Sequence, residues 1–190
     1  MKANTMTFWC RRGTPLGTVR IAARGGALVG IWFDGQKYDA KADATWHESP
    51  DDPVLREAGK QLDEFFAGRR ARFDLAIAPD GTAFQQRVWR AIANVPAGET
   101  TSYGEIAKRL GCPKAVRAVG AAIGRNPLIV VVPCHRILGS DGALTGYAGG
   151  LDRKRALLKL EGRAEIPPKR ASRASPRGGR APLGRPGGRA

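Results

Sequence analysis

No run of apolar residues in this chain is longer than the five at 128–132, and a membrane-spanning helix needs about 20. The first dozen residues also lack the apolar core of a secretory leader. A soluble, cytoplasmic protein with no membrane partner is therefore expected. Cysteine is scarce as well: Cys10, Cys112 and Cys134 are odd in number and show no C-x-x-C spacing, so neither a disulfide framework nor a cysteine-rich zinc site is suggested. They read as thiols. Negative charge is in short supply, with 17 Asp and Glu against 32 Lys and Arg in 190 residues, a net charge of +15. Such a surplus attracts polyanions, although charge alone does not separate nucleic acid from an anionic membrane surface.

Part of that charge lies in a tail. Residues 163–190 hold eight Lys or Arg, one acid, five Pro and five Gly, a composition with little to bury, so a basic disordered segment is expected there. It is either a spacer or an arm that tracks phosphates. The body before it stays basic and divides at Pro79-Asp80-Gly81. Residues 1–80 read as a small α/β domain. Short β-prone runs occur at 7–10, 18–22 and 27–33, with Gly25-Gly26 suited to a tight hairpin. Asp52-Pro53 then starts a helix carrying Val54, Ala58, Leu62 and Phe65 at helical spacing until Gly68. A further strand is expected at 73–78.

Residues 81–162 read as a mostly helical domain. Thr82-x-x-Gln85 and Ser102-x-x-Glu105 have the capping-box form and start two helices, to about Asn94 and Leu110. Gly111-Cys112-Pro113 turns into a third helix over 114–124, which completes a helix-turn-helix outline. On a helical wheel Val116, Val119 and Ile123 form its core face. Lys114, Arg117, Ala118 and Ala121 form the other: two cations among very small side chains, suited to close approach to a DNA backbone more than to reading base edges. An ordinary solvated face has the same pattern.

Past Asn126-Pro127, the strand-like run 128–132 ends at Pro133-Cys134-His135-Arg136. A thiol becomes a good nucleophile only as thiolate, and basic neighbours such as His135 and Arg136 favour that form. Adjacent side chains do not face each other, so His135 reaches the sulfur through a bent backbone or a bridging water. A buried structural cysteine fits the same residues. Glu161 stands in the last turn of a final helix, where an acid opposes the helix dipole. Orienting the imidazole of a Cys-His pair would account for it; so would a surface ion pair.

These residues carry a resemblance. Pro133-Cys134-His135-Arg136, with Asn126-Pro127 before it and Gly146-Tyr147-Ala148-Gly149-Gly150 after it, resembles the signature of the O6-alkylguanine-DNA alkyltransferases. The match runs back through Phe84-Gln85, Val88-Trp89, Pro96-x-Gly98 and Ser102-Tyr103-Gly104, and forward to Leu160-Glu161-Gly162, covering the second half in order and spacing. Thr14-Pro15-Leu16-Gly17 and Asp63-x-Phe65-Phe66-Ala67-Gly68 are similar to the family's first domain; the tail has no counterpart.

The resemblance implies a two-domain α/β repair protein that moves an alkyl group from O6 of guanine, less readily from O4 of thymine, irreversibly to its own cysteine. Cys134 would be the acceptor, activated by His135 and Glu161 through a water. Asn126 would order the active-site turn, and Tyr103 would supply a proton or hydrogen bond as guanine leaves. Arg117 would enter the base stack as the damaged nucleotide flips out, and Tyr147, Ala148 and Gly149 would line the pocket. The implied partner is double-stranded DNA carrying O6-alkylguanine, bound by a monomer with no obligate protein partner. No cofactor is implied, and no metal is expected: Cys10 and His47 are the only soft ligands of the first half, and a structural zinc wants four. Two readings from other classes remain, a non-enzymatic helix-turn-helix regulator and a cysteine hydrolase built on Cys134, His135 and Glu161.

Overall fold

Alternating apolar positions build a sheet from the first half of the chain. In a computed structural model that describes residues 6–40 and 42–163, strands β1 (Thr7–Arg12), β2 (Val19–Arg24) and β3 (Ala27–Phe33) run antiparallel. The short β4 (Trp46–Glu48) joins parallel to β1, giving the order β3-β2-β1-β4. Gly25 and Gly26 both take left-handed φ values, 59° and 79°, as the tightest hairpin turn between right-twisted strands demands. Helix α1 (Pro53–Phe66) lies on one face of the sheet. Asp52 caps it by accepting from the amides of Val54 and Leu55 at 2.9 and 3.1 Å, and Leu55, Ala58, Leu62 and Phe65 are buried. Ala22, Val29 and Trp32 make a smaller apolar cluster with Trp9 and Trp46.

The second half contributes α2 (Ala83–Ala93), β5 (Thr101–Ser102), α3 (Tyr103–Arg109), α4 (Val116–Gly124), β6 (Ile137–Leu138) and α5 (Leu151–Leu160). Thr82 and Gln85 make both bonds of the capping box. Ser102 makes only its own, from the Glu105 amide at 3.1 Å, because the Glu105 carboxylate turns to Lys108 instead. Helices α3 and α4 form the helix-turn-helix, and the Trp89 indole N–H of α2 donates to the Ala122 carbonyl at 2.9 Å, fixing α2 on α4. No helix among the described residues is long and apolar enough to cross a membrane. The expected basic tail, Arg163 excepted, lies outside the described residues.

Three sequence expectations need correction. Residues 73–78 are extended but make only an isolated bridge: the Leu28 amide donates to Ala76 O and the Ala78 amide to Leu28 O, both at 2.8 Å. The other end of this segment is held by the Gln61 amide group, which bonds the N–H and C=O of Asp74 at 2.8 and 2.9 Å in place of a strand ladder. Residues 128–132 are a buried turn and not a strand. Third, Val116 is 37% exposed, because a 3₁₀ turn over Pro113–Ala115 delays the helix and leaves Val119, Ala122 and Ile123 as its core face.

The edge of β3 positions the site. Beside the bridge to 76–78, the Ile31 amide donates to Pro127 O at 2.7 Å and the Ile129 amide to Ile31 O at 3.3 Å. The open edge of the sheet is thereby covered by the segment that leads into Cys134. One continuous apolar core spans both halves, from Ile21 and Phe33 to Val119, Ile129 and Leu157.

Candidate active site

The turn before Cys134 is built around one side chain. Asn126 is buried; its Nδ2 donates to Val132 O at 2.8 Å, to Leu128 O at 3.4 Å and to Cys134 Sγ at 3.2 Å, while its Oδ1 accepts from the Leu128 amide at 3.0 Å. With these groups satisfied, 128–132 closes on itself: the Val131 amide donates to Ile129 O and the Val132 amide to Leu128 O, both at 2.8 Å. Val130 pays with a left-handed φ of 69°, a strained choice for a β-branched residue. The chain then enters a single 3₁₀ turn, Cys134–Arg136, with all three side chains buried.

Glu161, the C-cap residue of α5, reaches back to this turn. Its Oε1 lies 2.9 Å from His135 Nε2 and accepts from Arg136 Nη2 at 2.7 Å, and its Oε2 accepts from Arg136 Nε at 2.9 Å. The Glu161 side chain is only 3% exposed, so this is a buried cluster and not a surface ion pair. Although burial works to raise its pKa, the bonds from His135 and Arg136 hold it down to about 2. Burial pushes the His135 pKa down despite Glu161, which keeps the imidazole neutral. Its second nitrogen, Nδ1, is buried with no protein partner.

Burial also raises the Cys134 pKa, against the bond from Asn126 and the nearby charge of Lys154. The resting group is a thiol. This corrects the sequence-based view that Arg136 favours the thiolate: its guanidinium is committed to Glu161 and to Val95 O. Lys154 supplies the positive charge instead. It is fully buried in α5, and its Nζ donates to Ile137 O, Thr145 O and Gly146 O at 2.5, 2.7 and 3.4 Å. Desolvation pushes its pKa down to about 8. The sequence reading missed Lys154 because three consecutive cations, 153–155, look alike. Its spacing to Leu157 and Leu158, three and four residues on, was the available signal for an inward position.

A cavity of about 260 Å³, just below the roughly 300–1,000 Å³ usual for ligand sites, opens between α4 and the 146–148 loop; Cys134 itself is not part of its lining. Tyr103 and Tyr147 line it, both close enough to feel a charge on Cys134. The β5–β6 pairing places Tyr103 there by setting the start of α3 beside the residues that follow Cys134. The Tyr103 hydroxyl donates to Thr145 O at 3.1 Å, with Gly146 O also within reach at 3.3 Å, and burial raises its pKa. The Tyr147 hydroxyl is buried with no protein partner, and burial raises its pKa well above the ordinary value. Ala148 lines the cavity; Gly149 does not, because its α-carbon faces the Tyr147 and Phe33 rings, which a Cβ would meet at 2.9 and 3.0 Å. Gly146 lines the wall instead.

Lys114, Arg117, Ala118 and Ala121 are all exposed. Ala121 also lines the cavity together with Gly120 and Gly124, so the small residues of α4 leave room where the helix meets the site. Among the described residues no group of three or more His, Cys, Asp or Glu is placed to hold a metal ion.

Comparison with known proteins identifies the family. Residues 83–163 match the family model "6-O-methylguanine DNA methyltransferase, DNA binding domain", and residues 13–79 match "6-O-methylguanine DNA methyltransferase, ribonuclease-like domain". The chain is 48% identical over 149 residues to a methylated-DNA–protein-cysteine methyltransferase of Methanosarcina acetivorans, covering 78% of this chain and 94% of that one. Among solved structures, OGT of Mycobacterium tuberculosis in complex with DNA superposes with a TM-score of 0.75 at 44% identity, covering 81% of this chain and 92% of the other. An O6-methylguanine DNA methyltransferase from Methanococcus jannaschii gives a TM-score of 0.59 at 27% identity, covering 83% and 95%. Both halves of the chain, and the order in which they occur, identify it as a member of the O6-methylguanine-DNA methyltransferase family.

Proposed function

We propose that this protein repairs duplex DNA by moving the alkyl group of O6-alkylguanine, and less readily of O4-alkylthymine, to Cys134 Sγ, once per chain. One observation carries the reading: a buried imidazole, fixed by Glu161 through Nε2, keeps its other nitrogen unpartnered in the residue that follows a buried thiol. The Cys134 proton passes through a bridging water to His135 Nδ1. The imidazolium that forms is stabilised by the Glu161 carboxylate, and the thiolate by Lys154 and the Asn126 amide. Sulfur then attacks the alkyl carbon, a C–S bond forms, and the C–O6 bond breaks with its electron pair leaving on guanine. Tyr103, whose raised pKa keeps its proton in place, donates to the departing base.

The alkyl carbon is hidden inside a duplex, so the nucleotide must leave the stack, at a cost of a few kcal/mol. Arg117 on α4 fills the gap, Lys114 takes a phosphate, and Ala118 and Ala121 let the helix lie close to the minor groove. The product is a thioether that no neighbouring group can cleave, so the reaction ends after one event. Neither a cofactor nor a second protein chain is needed, and a monomer suffices.

Intact mass after incubation with a duplex carrying O6-methylguanine tests the reading. The expected result is one added methyl group on the Cys134 peptide and never more than one per chain. Cys134→Ser should abolish the gain while DNA binding persists. Unchanged mass with retained binding would point to a regulator, and repeated turnover on an ester to a hydrolase.

A further inference from the structure

Three side chains that alkyl transfer does not use meet at the rim of the cavity. Lys37 and Tyr38 follow β3 in the sheet half, and Arg125 is the C-cap residue of α4. Lys37 Nζ lies 5.0 Å, and the Arg125 guanidinium carbon 5.5 Å, from the centre of the Tyr38 ring. Lys37 and Tyr38 both line the cavity, and the Tyr38 residue is 51% exposed. Its φ of 63° is left-handed, which costs a non-glycine residue on the order of 1–3 kcal/mol and is found where the surroundings over-determine the conformation. Here the surroundings are visible. The Gln36 side chain accepts from the Phe33 amide at 2.9 Å, and the Lys37 amide donates to Ala148 O at 3.1 Å, tying this turn to the loop that lines the pocket.

Among the described residues, neither Lys37 nor Arg125 has a carboxylate within 4.0 Å. Two cations gathered on one ring repel each other. The aromatic face offsets part of that repulsion, and an anion arriving between them would remove it. When a nucleotide is everted into the cavity, its own phosphodiester is the anion drawn to the rim. We infer that Lys37, Tyr38 and Arg125 form a clamp, built across both halves of the chain, for the phosphodiester of the everted nucleotide. The sheet half then takes part in recognising damage. This inference rests on the alkyl-transfer reading only for the identity of the everted base.

The test compares wild type with the double variant Lys37→Gln/Arg125→Gln, whose two exposed positions leave the core untouched. Binding to a duplex carrying O6-methylguanine is titrated with salt, and transfer rates are measured by mass from that duplex and from free O6-methylguanine base, which has no phosphate. One lost phosphate contact should reduce the slope of log K against log salt by about 0.9. The ratio of duplex rate to free-base rate should fall tenfold or more. An unchanged slope together with an unchanged ratio overturns the clamp. If wild type gains no alkyl group, alkyl transfer is refuted, and the slope alone then decides the clamp: a drop supports it and no change overturns it.

Discussion

Replacing Glu161 by Gln keeps shape and volume but removes one charge from a cluster with almost no access to water. The carboxylate receives three hydrogen bonds, one from His135 and two from Arg136. A glutamine in the same place must turn its NH₂ toward Arg136 Nε or toward His135 Nε2. The first sets donor against donor. The second forces the imidazole proton onto Nδ1, the nitrogen that must accept the thiol proton. Either way the buried guanidinium loses its counter-charge, which costs about 3–5 kcal/mol of folding stability.

The pKa of Glu161 gives an independent estimate of similar size: held at about 2 against an ordinary 4.5, it contributes about 3 kcal/mol. Because the folded-state pKa is depressed, this stability is present above pH 4.5 and is lost as pH falls toward 2. Urea unfolding at pH 6 and pH 3 should therefore show the gap between wild type and Glu161→Gln shrinking by about 2 kcal/mol. Single-turnover transfer followed by mass should slow by about 10²- to 10⁴-fold, the usual worth of a positioned base. A gap that stays constant between the two pH values, or a folded variant that transfers within threefold of wild type, would refute the assigned role of Glu161.

Asn126→Ala strands the Leu128 amide, whereas the Val132 carbonyl keeps its bond from the Cys134 amide at 2.8 Å; the one buried group left unpaired costs about 1–3 kcal/mol, denaturant unfolding reads the loss, and a cost below 1 kcal/mol would mean the turn holds itself. Lys154 has a depressed pKa, so its burial penalty is present below pH 8 and fades as pH rises toward 10.5. Wild type should gain about 3 kcal/mol relative to Lys154→Met across that window, and parallel stability profiles would contradict the burial of its charge. S-methylation of Cys134 adds a methyl group to a site 4% exposed, and overpacking of this kind costs about 1–3 kcal/mol. The reacted protein should melt below the unreacted one, and an equal or higher melting temperature would argue for spare room beside the sulfur.

Much of this was legible in the sequence where a local rule had no competitor. Gly25-Gly26, the Asp52 and Thr82 caps, and the α3–α4 pair follow from short-range chemistry, and the structure realises each. The residues left Cys134, His135 and Glu161 open to bland readings, and it was the family resemblance that grouped them; the structure brings Glu161 and His135 into contact. The failures arose where a distant partner outweighed local preference. Residues 128–132 are rich in β-branched side chains, which suit a strand, yet Asn126 bonds both ends of the run and folds it into a turn. Gln61 does similar work on Asp74, and 73–78 is left with a single bridge to β3 in place of a strand ladder. Assigning Arg136 to the thiol relied on adjacency in the chain, whereas Glu161 takes its guanidinium.

The backbone bonds between Ile31 and the 127–129 segment anchor the nucleophile to β3, a strand laddered to β2 on one side and bridged to this segment on the other. Displacement at a saturated carbon tolerates little error in the line of attack, and a thiol mounted on a wandering loop would spend most of its time out of line. Here the sulfur is the stationary partner. The travel needed to bring the reactants together falls on the nucleic acid, so the frequency with which a lesion swings out of the helix, and not any rearrangement of the polypeptide, should set the pace.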